Sequence, residues 1–101
     1  MGRRTPRPLA KAVSAAMERA EPPTLLAAVQ RAWPAAVGEA VAREGSPVAE
    51  RSGVVTVACR SSTWAQELDL LRDQIIARIR RDLPDPAALE AIRFTASGDP
   101  G

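Results

Sequence analysis

Val54-Val55-Thr56-Val57-Ala58-Cys59-Arg60 runs straight into Ser61-Ser62-Thr63-Trp64-Ala65-Gln66-Glu67-Leu68, and the change of period between the two decides the fold. In the first run Val55, Val57 and Cys59 alternate with Thr56, Ala58 and Arg60, the two-residue period of a half-buried strand. From about Ser62 to Leu83 the apolar residues Trp64, Leu68, Leu71, Ile75 and Ile79 recur every three or four positions. That period predicts one long helix with a single buried stripe. Thr63 and Gln66 have the spacing of a capping box at its start, and Pro84 and Pro86 end it. Cys59 stands where a third core aliphatic belongs and is expected to be buried and valine-like.

Upstream, Pro47 to Glu50 reads as a short strand joined to Val54–Arg60 by a turn at Arg51-Ser52-Gly53. A helix from about Thr24 to Arg43 precedes it, with Leu26, Val29, Trp33, Val37 and Ala40 on one face and Gly45-Ser46-Pro47 closing the region. Pro34 removes a backbone bond and crowds the preceding turn, so this helix is expected to kink or split there. Before Glu21-Pro22-Pro23, the residues Leu9, Val13, Ala16, Met17 and Ala20 give a weaker stripe on a helix of about residues 8–20. Downstream, Ala91 to Thr95 alternates, with Ile92 and Phe94 inward and Arg93 and Thr95 outward. The order α-α-β-β-α-β predicts an α+β domain: a small three-stranded sheet, helices packed on one face, and a last strand returning beside the hairpin through a right-handed crossover. Residues 1–7 are read as a basic flexible arm, 8–95 as the domain and 96–101 as a flexible tail.

Composition narrows the chemistry. The 101 residues are 46% hydrophobic and 26% charged, enough for one modest core. There is no His and no Tyr, so the commonest general base and metal ligand is missing. A single Cys, Cys59, cannot form an intrachain disulfide, a cysteine zinc site or a CxxC redox pair. No glycine-rich phosphate loop occurs, and no apolar run approaches the roughly 20 residues that span a bilayer. A non-enzymatic, cytoplasmic interaction domain without cofactor or metal is expected. The net charge of +2 is unevenly spread: Arg3, Arg4, Arg7 and Lys11 stand among residues 1–11 with no acid, which leaves 10 basic against 12 acidic residues in the remainder. Nucleic acid, if bound, is therefore expected to meet those four residues, weakly and without sequence preference.

Ala32-Trp33-Pro34-Ala35-Ala36-Val37-Gly38, Ser46-Pro47, Gly53-Val54-Val55-Thr56-Val57, Ser61-Ser62-Thr63-Trp64-Ala65-Gln66-Glu67-Leu68 and Ile92-Arg93-Phe94, in that order and spacing, resemble the bacterial DciA-like family, long catalogued as a domain of unknown function. The resemblance covers roughly residues 9–95. It implies a KH-like domain that binds the replicative DNA helicase, assists its loading at origins and makes auxiliary contact with DNA. The G-x-x-G loop of RNA-binding KH domains is absent, so that nucleotide grip does not transfer. Two other readings stand beside it: a stand-alone KH-like RNA-binding domain, and a protein–protein interaction module without nucleic acid.

The remaining site candidates each have two readings. Trp64 is either a core residue heading its stripe or an anchor for a partner. Leu70 lies off the stripe, near Ala77 and Arg81 on the helical wheel, and either packs against an earlier helix or stands exposed for a partner. Arg72, Arg78, Arg80 and Arg81 form either a secondary basic edge for phosphates or a solvated face. On the second reading the acids Glu67, Asp69 and Asp73 precede them along the helix and complement its dipole, with an Asp69–Arg72 pair three residues apart.

Overall fold

The computed structural model describes residues 24–96; the expected arm at residues 1–7, the helix expected over residues 8–20 and most of the expected tail lie outside them. The first described helix, α1 (Leu25–Val37), is capped by Thr24, whose hydroxyl accepts the Ala27 amide at 3.1 Å. It runs through Pro34 instead of breaking there. Pro34 is exposed and sits in the last turn, where the missing amide deprives only the Gln30 carbonyl, also on the exposed side. The break comes at Gly38, whose φ of 93° suits glycine, and whose amide donates to the Pro34 carbonyl at 2.7 Å. A one-turn helix, α2 (Glu39–Ala42), follows, so Ala40 falls beyond the break and is exposed, not part of the stripe.

Strand β1 (Gly45–Arg51) starts two residues earlier than expected, taking up Gly45 and Ser46, and ends one residue later, at Arg51. It pairs antiparallel with β2 (Val54–Cys59), with a bulge that leaves Val48 unpaired between Pro47 and Ala49. The hairpin turn is Ser52-Gly53, at φ 51° and 86°, the left-handed pair that a two-residue turn between twisted strands requires. After β2 come α3 (Ser62–Leu70) and α4 (Arg72–Arg81), a 3-10 turn (Pro86–Ala88) and β3 (Ala91–Ala96). β3 pairs parallel with β2, from Val54–Ala91 to Cys59–Ala96, which gives the order β1-β2-β3. The domain is thus α+β, a mixed three-stranded sheet in KH-like order.

The helices share one face of the sheet: α1 lies on β1 and α4, and α3 on β3 and β2. Val29 and Trp33 from α1, Val55, Val57 and Cys59 from β2, Leu68, Ile75 and Ile79 from the later helices, and Leu89 and Ile92 form one buried cluster. Phe94 is only half-buried at its margin. Edge strand β1 is tied to α1 by two side chains one turn apart. Trp33 Nε1 donates to the Gly45 carbonyl at 2.8 Å and Gln30 Nε2 to the Pro47 carbonyl at 3.1 Å. Those two carbonyls are therefore not offered to a foreign strand.

Gly53 is the tightest point of the hairpin. Its amide donates to Glu50 Oε2 at 2.8 Å, and its carbonyl accepts the Glu90 amide at 2.8 Å, which fixes the approach to β3. A Cβ there would lie 2.6 Å from Glu90 Cγ and 2.9 Å from the Ala88 carbonyl oxygen. Gly53→Ala is expected to destabilise the fold by about 1–3 kcal/mol through backbone strain alone, with the clash adding to it. An unchanged urea midpoint would contradict this account of the turn.

Candidate partner-binding surface

The helix expected over residues 62–83 is not continuous. Ser61, not Thr63, caps α3, its hydroxyl accepting the Trp64 amide at 3.2 Å. At Leu71 (φ −101°, ψ 10°) the backbone leaves helical geometry for one residue. The Leu71 amide bonds to the Leu68 carbonyl at 3.0 Å, a three-residue step, and the Leu71 carbonyl then accepts the Ile75 amide at 2.9 Å. No proline or glycine marks the spot. The break resets the phase, so that Leu68 is buried before it and Ile75, Ile76 and Ile79 after it. Leu70 is left 81% exposed and Leu71 45% exposed, which corrects the expectation that Leu71 belongs to the core stripe. Beside the pair lies a small cleft whose lining includes Val37, Val41, Leu71 and Gln74. Among the described residues the other large exposed aliphatic is Val48, at the β1 bulge.

The sequence holds a signal of this. Leu68, Leu70 and Leu71 put three leucines within four positions, and Leu70 sits about 200° around an ideal helix from Leu68. No single stripe accommodates all three.

Trp64 is half-buried, packed against the edge of the core cluster instead of inside it. Trp33, by contrast, is 2% exposed. Cys59 is also buried, as expected, and burial pushes its thiol above the ordinary cysteine range. Among the described residues no cluster of His, Cys, Asp or Glu could hold a metal ion, and no helix is long and apolar enough to cross a membrane.

The four arginines of α4 do not form one free edge. Arg72 NH1 pairs with Asp69 Oδ1 at 2.9 Å across the break, with both side chains about half exposed. Arg78 NH1 donates to the Ala36 carbonyl at 3.2 Å, satisfying an acceptor in the last turn of α1. Arg80 NH2 donates to the Leu89 carbonyl at 2.6 Å and holds the segment before β3 against the helix. Arg81 alone of the four is exposed with no such bond among the described residues. The solvated face expected of these arginines thus includes two tertiary ties that no helical spacing reveals, because Ala36 and Leu89 come from other elements. Residues 24–96 carry nine arginines and nine carboxylates, a neutral body. Arg3, Arg4, Arg7 and Lys11 lie outside the described residues.

Known proteins share this sequence pattern. The pattern of a family described as "Dna[CI] antecedent, DciA" matches residues 8–94. A "UPF0232 protein" of Streptomyces avermitilis is 40% identical over 65 residues, 62% of this chain and 36% of that protein. A "UPF0232 protein" of Rhodococcus jostii is 31% identical over 68 residues, 67% of this chain and 36% of that one. One of Mycolicibacterium smegmatis is 38% identical over 47 residues, 46% and 24% of the two chains. The chain therefore spans about a third of the length of the first two relatives.

Proposed function

Because the chain belongs to the DciA family, a family tied to DNA replication, we propose that it is a non-enzymatic adaptor that binds the replicative DNA helicase and assists its loading when replication begins, in the bacterial cytoplasm. The observation that carries this reading is the family match across residues 8–94, which spans nearly all of the described fold. The folded body supplies the helicase contact, centred on Leu70 and Leu71 with Trp64 upstream on α3. Exposed leucines at a helix break are suited to insertion into an apolar site on a partner. DNA contact is auxiliary. It belongs to the basic arm, Arg3, Arg4, Arg7 and Lys11, since the body is neutral and Arg72, Arg78 and Arg80 are engaged within the fold.

The two activities separate in one experiment. The full chain and a form lacking residues 2–7 are titrated against the purified helicase by biolayer interferometry, and against labelled duplex DNA by fluorescence anisotropy over a salt series. Helicase binding is expected to be saturable and equal for both forms. The full chain's log–log salt slope on duplex DNA is expected to be no steeper than about −3.6, from about −0.9 per phosphate contact, and the deletion should remove most of it. Absent helicase binding would defeat the adaptor reading. Undiminished DNA affinity in the deleted form would move the DNA contact to the body, with Arg81 the first residue to test.

A further inference from the structure

The helices cover one face of the sheet, and the described residues leave the other open. Strand pairing aligns the open-face residues in rows: Arg51, Val54 and Ala91 in one, Ala49, Thr56 and Arg93 in the next. Val54 and Thr56 are half-buried on the central strand, while Arg51 and Arg93 stand exposed on the two outer ones. Together they shape an open depression of about 760 Å³, with a small aliphatic and hydroxyl floor and an arginine on either side. Arg51 and Arg93 are two strands and one two-residue step apart, about 12 Å between Cα atoms. Glu50 is the one carboxylate within the three strands. It borders the depression, but it pairs with the buried Val55, of the opposite parity, and one of its oxygens accepts the Gly53 amide. The arginines whose side chains form ion pairs or hydrogen bonds among the described residues are Arg72, Arg78 and Arg80. The guanidinium groups of Arg51 and Arg93 are not engaged in that way.

We propose that this open face is the docking surface for an acidic amphipathic helix of a partner protein, laid along β2 with carboxylates on its two flanks meeting Arg51 and Arg93. Width favours a helix. Its diameter of about 10–12 Å with side chains matches the interval between the two arginines, and the small floor lets it come close. Charge sets its sign: two unengaged guanidinium groups with no opposing acid suit bidentate bonds to carboxylates, and their apolar stems wall the floor. Topology gives a reason for a further layer. β2 and β3 are a parallel pair, the pairing that in wholly parallel sheets goes with cover on both faces. The chain's own residues 1–11 have the wrong charge for this place, with four bases and no acid. A nucleic-acid strand is the poorer fit, because the floor offers no aromatic ring on which a base could stack. The proposal does not depend on the helicase reading.

The probe is a synthetic peptide of about 18 residues, about five helical turns, with one stripe of alanine and leucine and glutamates on both flanks. It is titrated into the full chain by fluorescence anisotropy and by amide NMR. Saturable binding is expected at low salt, weakening as salt rises, with shifts at Val54, Thr56 and Arg93 and none at Leu70 or Ile76. Arg51→Glu/Arg93→Glu should lose at least about tenfold in affinity. It should also bind the same peptide with lysines in place of glutamates better than the parent does. Both positions are exposed, so the urea midpoint should stay where it is in the parent. No saturable binding by the parent, parental affinity in the charge-reversed variant, or shifts confined to the helical side would overturn the proposal. So would an oligothymidine strand of similar length that binds this face more tightly than the peptide, since the face would then hold nucleic acid. A concentration-dependent dimer in sedimentation that charge reversal abolishes would overturn it too, because a second copy would then be the occupant.

Discussion

Replacing Trp33 with alanine is expected to lower the stability of the domain by about 3–5 kcal/mol, more than the strain introduced by Gly53→Ala. Trp33 is 2% exposed and touches the core from the middle of α1, so its removal leaves a cavity between α1 and β1. It also leaves the buried Gly45 carbonyl without the indole donor that now sits 2.8 Å away, and an orphaned buried acceptor costs about 1–3 kcal/mol. A small domain has about 5–15 kcal/mol in total, so the loss is a large fraction of what holds it folded. Trp33→Phe separates the two contributions, because it keeps most of the apolar body and loses only the donor. An intermediate loss of about 1–3 kcal/mol is expected for it. Urea denaturation followed by Trp64 fluorescence measures both variants with the same reporter. If Trp33→Phe unfolds with the parent midpoint, the tie between α1 and edge strand β1 contributes nothing net.

Strict alternation in Val54–Cys59 and the leucine–isoleucine period after it are enough to predict the α+β class, the hairpin and the burial of Val55, Val57 and Cys59, because a strand between a helical layer and an open face admits only one such pattern. What pattern does not carry is backbone detail decided by contacts distant in sequence. Pro34 predicts a kink or a split, and the split does not occur: in the last turn the proline disturbs a single solvent-side carbonyl, and the glycine four residues later ends the helix. Leu71 fits the stripe on an ideal helix, but burying both Leu68 and Ile75–Ile76 under one sheet is met by a one-residue interruption, and Leu71 falls outside. The partners of Arg78 and Arg80 are main-chain carbonyls 42 and 9 residues away. Charge spacing along a helix says nothing about such bonds. The candidate site is legible only as far as Leu70, whose position off the stripe is visible on any helical wheel.

On the proposed adaptor role, Leu70→Asp/Leu71→Asp is expected to weaken helicase binding by at least about thirtyfold, roughly 2 kcal/mol, the loss typical when central apolar anchors of an interface are removed. The choice of these two residues follows from their exposure. At 81% and 45% exposed, they contribute little to the core, and changes at exposed positions usually alter stability by no more than about 0.5 kcal/mol. Trp64 does not offer that separation. It is half-buried and packed against the core cluster, so Trp64→Ala would lose stability and binding together, and a binding defect could not be assigned. The ion pair across the break supplies the control. Asp69 and Arg72 are exposed and three residues apart, and exposed pairs of this kind add little to stability or affinity, so Asp69→Ala should bind almost as the parent does. The measurement is the helicase dissociation constant by interferometry, with urea midpoints run in parallel to show that each variant is folded. A double leucine variant that is folded and binds with parental affinity would remove the helix break from the interface. It would point to Val48 on the β1 bulge, the other large aliphatic exposed among the described residues, as the next position to test.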